Sequence, residues 1–127
     1  IEKIQPDIIL THHKGDRNID HRVINDAVLT AARPLSTSPV KEILTFETPS
    51  STEWGFSSGD DVFTPNIFID ITHHLNNKLE AFKLYVSEIR DYPHPRSLRA
   101  LKSIAEKWGS VIGVEYAEAF KLIWKRN

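Results

Sequence analysis

The hydrophobic positions of the chain fall into two spacings, and they divide it into helices and strands. Leu75, Leu79, Phe82, Val86 and Ile89 recur at alternating steps of four and three, the most regular amphipathic pattern present, with Thr72 placed to cap the helix it predicts. A second helix follows Ser97, with Leu101, Ile104, Ala105 and Trp108 on its inner face before Gly109. A third, earlier in the chain, runs from His21 to about Arg33, with Ile24, Ala27, Val28 and Ala31 on one face and Pro34 ending it. Strand patterns occur at Ile8 to Leu10, at Lys41 to Glu47 and at Asn66 to Ile71, where Ile67, Ile69 and Ile71 alternate. Glu115 to Lys125 suits either structure: Ala117, Ala119, Lys121 and Ile123 alternate as in a strand, and Tyr116, Phe120 and Ile123 would share a helix face. A closing strand is the favoured reading. These elements alternate along the chain as in an α/β protein, a layered sheet with flanking helices in one domain, 1–127.

Between the strand at Ile8 to Leu10 and the helix at His21 lies a polar loop that carries the candidate chemistry. Ligands in α/β proteins sit at the carboxyl ends of strands, and this loop leaves such an end with His12, His13, Asp16, Asn18 and Asp20. Asp20 is expected to cap the helix and to place His21 at its first position, where the positive helix end keeps the ring neutral and a lone pair open to a metal. A carboxylate beside that ring can orient it. The same pair also suits simple helix capping. Thr48 to Pro65 is too polar and too long for an ordinary connection. Trp54 and Phe56 argue that it packs on something, so it is expected to move or lie over the site.

Composition narrows the class. With 40% hydrophobic and 26% charged residues and a net charge of −1, nothing favours nucleic acid or an anionic membrane. No run is long enough for a membrane span and no signal segment opens the chain, so a cytoplasmic location is expected. The 127 residues contain no cysteine, which leaves histidine and carboxylates as the strong metal ligands. They also contain no methionine, and Ile1 to Gln5 resembles the tail of a helix without its start; missing upstream sequence is inferred.

On these residues the chain resembles the carboxyl-terminal part of the PIG-L/LmbE-like family of zinc-dependent N-deacetylases over nearly its whole length. The matching pieces are Pro6-Asp7 with its strand and Thr11-His12-His13, Asp20-His21-Arg22 opening a helix, the stretch Glu47-Thr48-Pro49-Ser50-Ser51-Thr52-Glu53-Trp54, His94-Pro95-Arg96-Ser97, and Tyr116-Ala117-Glu118-Ala119-Phe120. The resemblance implies a Rossmann-like fold whose first strands are missing here. It implies hydrolysis of an N-acetylated amino-sugar conjugate of the N-acetylglucosamine type, with zinc as cofactor. His21 would be a zinc ligand and Asp20 the residue that tunes the site. Asn18-Ile19 stands where the family has His-Pro, so Asn18 could donate a hydrogen bond to an oxyanion but could not carry a proton. The family's His-Pro-Asp-Asp signature does not occur in these residues.

The remaining candidates are substrate contacts. Arg96 on its proline-stiffened loop could bind a hydroxyl or phosphate, Glu53 and Trp54 could form a sugar-facing wall, and His13 at the strand end could face the pocket. Each also has an ordinary reading, as a surface arginine, a loop anchor and an exposed histidine. His73 and His74 read as the solvent-side start of a helix. Two functions stay open: the distal part of a zinc N-deacetylase, or a non-catalytic sugar-binding or assembly module on the same scaffold. The expected partners are the amino-sugar substrate, the missing amino-terminal segment, and a second copy through an exposed apolar sheet edge.

Overall fold

The computed structural model describes residues 1–56 and 59–126. Four strands form one sheet: β1 (Ile8–His12), β2 (Glu42–Phe46), β3 (Ile67–Asp70) and β4 (Ala117–Lys125), in the order β1-β2-β4-β3. The helices are α1 (Ile19–Ala31), α2 (Leu75–Lys83) and α3 (Leu98–Ile112). It is the mixed α/β class expected, and the closing segment is a strand. By contacts, the chain divides into two compact units, Ile1–Ile67 with the chain from Phe120 onward, and Phe68–Ala119. Among the described residues no helix is long and apolar enough to cross a membrane.

In the first unit, β1 and β2 run parallel, joined by α1, with Ile9 opposite Ile43 and His12 opposite Phe46. β4 lies antiparallel on the other side of β2, and the register shifts between Ile43 and Leu44. Ala32, Val40 and Ile43 form the core, covered by Ile9, Val28, Leu29 and Trp124. β1 is at the sheet's edge, and its Ile8 and Leu10 are exposed, as expected of an apolar edge. The first residues make one helical turn, closed by the Gln5 N–H on the Ile1 carbonyl at 2.8 Å.

α1 differs from its expected form in two ways. Its N-cap is Asn18, whose side-chain oxygen accepts the Asp20 N–H at 2.9 Å, so Asp20 and His21 are the second and third helical residues. Asparagine caps as well as aspartate, and the Ser51 hydroxyl already holds the Asn18 backbone N–H at 3.1 Å. The buried face is also rotated by about a residue. Asn25 and Ala32 are buried with Val28 and Leu29 beside them, whereas Ile24 is 42% exposed and Ala27 and Ala31 are exposed. A polar residue is inside because the Asn25 amide donates to the His12 carbonyl at 2.9 Å, which hydrophobic spacing does not register.

The second unit has an apolar core of Ile71, Leu75 and Ala105, with Leu79 and Tyr116 packed on it. α2 stops at Lys83, although the apolar pattern continues to Ile89, and Val86 is 81% exposed. Residues 84–89 close instead as separate turns, with the Arg90 guanidinium on the carbonyls of Ser87 and Ile89 and Glu88 paired with Arg96. Thr72 is not the cap. His74 holds that position without a side-chain bond, and the Thr72 N–H donates to Asp70, whose carboxyl the Thr72 hydroxyl and N–H together hold below its ordinary value. His73 and His74 are exposed, as expected.

α3 begins as expected, with the Ser97 hydroxyl accepting the Ala100 N–H at 3.1 Å, but it runs through Gly109 to a left-handed Gly113 with φ 76°. Gly109 is a packing glycine. A Cβ there would come within 2.6 Å of the Val114 carbonyl and 2.7 Å of that of Glu115.

Candidate functional site

The carboxyl end of β1, the loop after it and the first turn of α1 bring His12, Asp16 and His21 together. The imidazole of His21 meets the Asp16 carboxylate, Nδ1 to Oδ2, at 2.8 Å. Asp16 is wholly buried as a side chain, which a carboxylate tolerates only when bonded. Its other oxygen accepts the Thr52 hydroxyl at 2.5 Å. The group that orients His21 is thus Asp16, five residues earlier, while Asp20 is exposed in the first turn of the helix.

His12 lies against the same ring. The two imidazoles stack with centroids 4.0 Å apart and planes at 23°, and Phe46 closes the far side of His12 at 5.0 Å. Burial disfavours the His12 cation, and so would a charge on His21; together they hold its pKa below the ordinary value against the weaker pull of Asp16. His12 Nδ1 is buried without a hydrogen-bond partner. Asn25, one turn beyond His21 on the same face of α1, ties the helix to the His12 carbonyl.

The segment from Thr48 is fastened to this loop at both ends. Near its start, the Ser51 carbonyl accepts the Arg17 N–H at 2.9 Å and the Ser51 hydroxyl accepts the Asn18 N–H. Farther on, His13 Nε2 is 2.8 Å from the Asp61 carbonyl, and the His13 and Phe63 rings meet edge to face at 5.3 Å. The segment forms two short 3-10 turns, Glu53–Gly55 and Gly59–Asp61; Ser57 and Ser58 lie outside the described residues. Its first part is a wall of the site.

The other sequence-selected residues have local partners. Glu53 accepts the Ser50 N–H at 2.7 Å, and Trp54 is 41% exposed beside it. His13 is buried against Asp61 rather than open at the strand end. Asn18 uses its amide oxygen as the helix cap, which leaves only the amide nitrogen as a donor. Arg96 belongs to the second unit, where its guanidinium pairs with Glu88 and its N–H donates to His94 Nδ1 at 3.0 Å. Asp16, Ser51 and Thr52 lie in stretches that the sequence points to, but it assigns them no role. The available signal was a buried-type Gly-Asp in a polar loop and two hydroxyls after a Thr-Pro, too common to choose alone.

The fold has counterparts among solved structures. A conserved protein of Thermus thermophilus matches with a TM-score of 0.71 and 19% identity over 98% of this chain. The N,N′-diacetylchitobiose deacetylase of Pyrococcus horikoshii, solved with an inhibitor, matches with a TM-score of 0.67 and 22% identity over 95% of it. The fold is thus shared with that deacetylase. The chain spans about half the length of these neighbours, 55% of the first and 47% of the second. No family model matches the sequence, and no curated protein matches it.

Proposed function

We propose that the chain is the distal part of a PIG-L/LmbE-like zinc-dependent hydrolase that removes the acetyl group from an N-acetylated amino-sugar conjugate. The observation that carries this reading is the Asp16–His21 pair at the mouth of β1 on a scaffold shared with a sugar deacetylase. A buried carboxylate on one imidazole nitrogen is how proteins orient a histidine whose other nitrogen binds a metal. The residues therefore fit one ligand position, with His21 holding the ion through Nε2 and Asp16 fixing the ring. When bound, zinc would supply an acidified water and polarise the amide carbonyl. The chain's own groups supply the setting: Asn25 and the Ser51 bonds hold the helix and wall, the amide nitrogen of Asn18 can donate to a developing oxyanion, and Asp20 is available to tune the open side. Trp54 and Glu53 would face the sugar, and His13, bonded to the Asp61 carbonyl, would hold the wall segment in place.

Catalytic zinc sites use three protein ligands and a water. Among the described residues no group of three or more histidines or carboxylates is gathered to hold a metal, and on this reading the other ligands and the base belong to a complementary half of the enzyme. The test is zinc content and acetate release from an N-acetylglucosamine conjugate, for the chain alone, for the chain with the complementary half, and with His21→Ala. The expected result is sub-stoichiometric zinc and no turnover alone, with both gained in the completed protein and lost on substitution. Stoichiometric zinc in the chain alone would overturn the reading. Zinc uptake indifferent to His21→Ala in the completed protein would remove His21 from it, and sugar binding without zinc or turnover there would favour the non-catalytic module.

A further inference from the structure

Three hydrogen bonds joined end to end run from the backbone at Thr48 to the ring of His21, and the donor in each can be assigned. The Thr48 N–H can only donate, so the Thr52 hydroxyl oxygen accepts it, at 2.7 Å. The single hydroxyl proton of Thr52 is then directed to Asp16 Oδ1, at 2.5 Å. An ionised carboxylate accepts on both oxygens, so the hydrogen between Oδ2 and His21 belongs to Nδ1, and the lone pair of the neutral ring is on Nε2. Ser51 Oγ, 3.4 Å from the same Nδ1, is too distant to compete.

We propose that Thr52 is a positioning residue that fixes the group at position 16 against the His21 ring: by donating to Oδ1 it holds the Asp16 carboxylate with Oδ2 on Nδ1, and where position 16 carries an amide it selects which end of that amide faces the ring. The use made of the open ring nitrogen rests on the zinc reading above, whereas the tautomer is a property of the chain without metal. Loss of the hydroxyl takes the acceptor from the Thr48 N–H but leaves the segment's other ties. The wall segment is also tied to the loop by the Ser51 carbonyl on Arg17 and the Ser51 hydroxyl on Asn18, so Thr52→Val removes the relay's first side-chain donor without detaching the segment.

This logic makes an asymmetric pair of variants. In Asp16→Asn, the Thr52 hydroxyl still donates, so it selects the amide oxygen and turns the amide NH2 toward His21. Nδ1 must then accept, and the hydrogen moves to Nε2. In Asp16→Asn with Thr52→Val the selecting donor is gone, the amide can turn its oxygen to the ring, and the hydrogen returns to Nδ1. Asp16→Asn with Thr52→Ser keeps a hydroxyl and stays in the first state.

The experiment is long-range proton–nitrogen NMR correlation of His21 in the metal-free 127-residue chain at about pH 8, above the ordinary imidazole value. Hydrogen on Nδ1 in the parent, on Nε2 in Asp16→Asn and in the Asn/Ser double variant, and on Nδ1 again in the Asn/Val double variant is the expected set. Hydrogen on Nε2 in the parent would overturn the proposal. So would the same tautomer in Asp16→Asn with and without Thr52→Val. Should the asparagine variants fail to fold, Thr52→Val alone decides: the carboxylate can swing, so the Nδ1 hydrogen should exchange with water about tenfold faster than in the parent, and an unchanged rate would refute the relay. The zinc reading fails separately, through metal uptake that ignores His21→Ala.

Discussion

Around His21 the buried side chains are largely polar: the first unit buries Thr11, His13, Asp16, Asn25, Thr45 and Ser51 beside Ala32, Val40, Ile43 and Leu44. The second unit buries Ile71, Leu75, Leu101, Ala105, Trp108, Ala117 and Ala119, with Ser97, the cap of α3, as the buried polar residue among those described. The contrast is one of directionality at His13, Asp16, Asn25 and Ser51, whose side chains are hydrogen-bonded, whereas the Thr11 and Thr45 hydroxyls are buried without a partner. Apolar contacts fill volume and tolerate rearrangement, whereas a buried hydrogen bond fixes an angle and penalises any loss of a partner. The first unit gives up packing freedom for geometry, which suits a region that must hold an imidazole in one orientation.

That contrast is broken most directly by removing one anchor from each unit. Asp16→Ala strips the partner from the His21 ring and the Thr52 hydroxyl, and should cost about 4 kcal/mol in urea unfolding. Leu75→Ala should cost about 3 kcal/mol through the cavity it leaves, with the His21 nitrogen signals unchanged. A cost below about 1 kcal/mol for Asp16→Ala would show that the polar cluster decorates an apolar core. Val86→Ala, at a position sharing the sequence stripe of Leu75 but exposed, should stay within about 0.5 kcal/mol.

Gly109→Ala sharpens the packing side. Alanine is the better helix former, yet its Cβ would strike two backbone carbonyls, so calorimetry should show a loss of about 2 kcal/mol instead of a gain. At the other unit's helix start, Asn18→Ala should cost about 1 kcal/mol and Asp20→Ala only a few tenths, which separates the two capping assignments.

The smallest effect is one of pH. His12 titrates below its ordinary value, first because it is buried and then because His21 lies against it, so the unfolded chain takes up a proton before the folded one does. Its contribution to stability is complete above about pH 6.5 and falls away as the pH drops below that. Urea midpoints at about pH 7.5 and about pH 5.5 should differ, and His12→Gln should flatten the difference. A slope unchanged by His12→Gln would assign the effect to another group.

The same division explains what could be read in advance. The α/β class, the first three strands, α3 with its Ser97 cap and the loop leading to His21 were visible, and the closing strand was the favoured of two readings, because apolar spacing and capping residues are local signals. The end of α2 was not: its periodicity runs on to Ile89, and only the folded chain shows residues 84–89 closing as separate turns. The inner face of α1 was misplaced because its central contact is an asparagine. Asp16 and Thr52 are 36 residues apart and meet only in the folded chain, so no spacing rule could have joined them.

The position of β4 has a consequence for synthesis. This strand is made after β2 and β3 yet lies between them, so one edge of β2 stays without its sheet partner while residues 117–125 are still inside the ribosome. Until that stretch clears the exit tunnel, β2 has β1 on one side and an open ladder on the other, an invitation to strand pairing with other nascent chains.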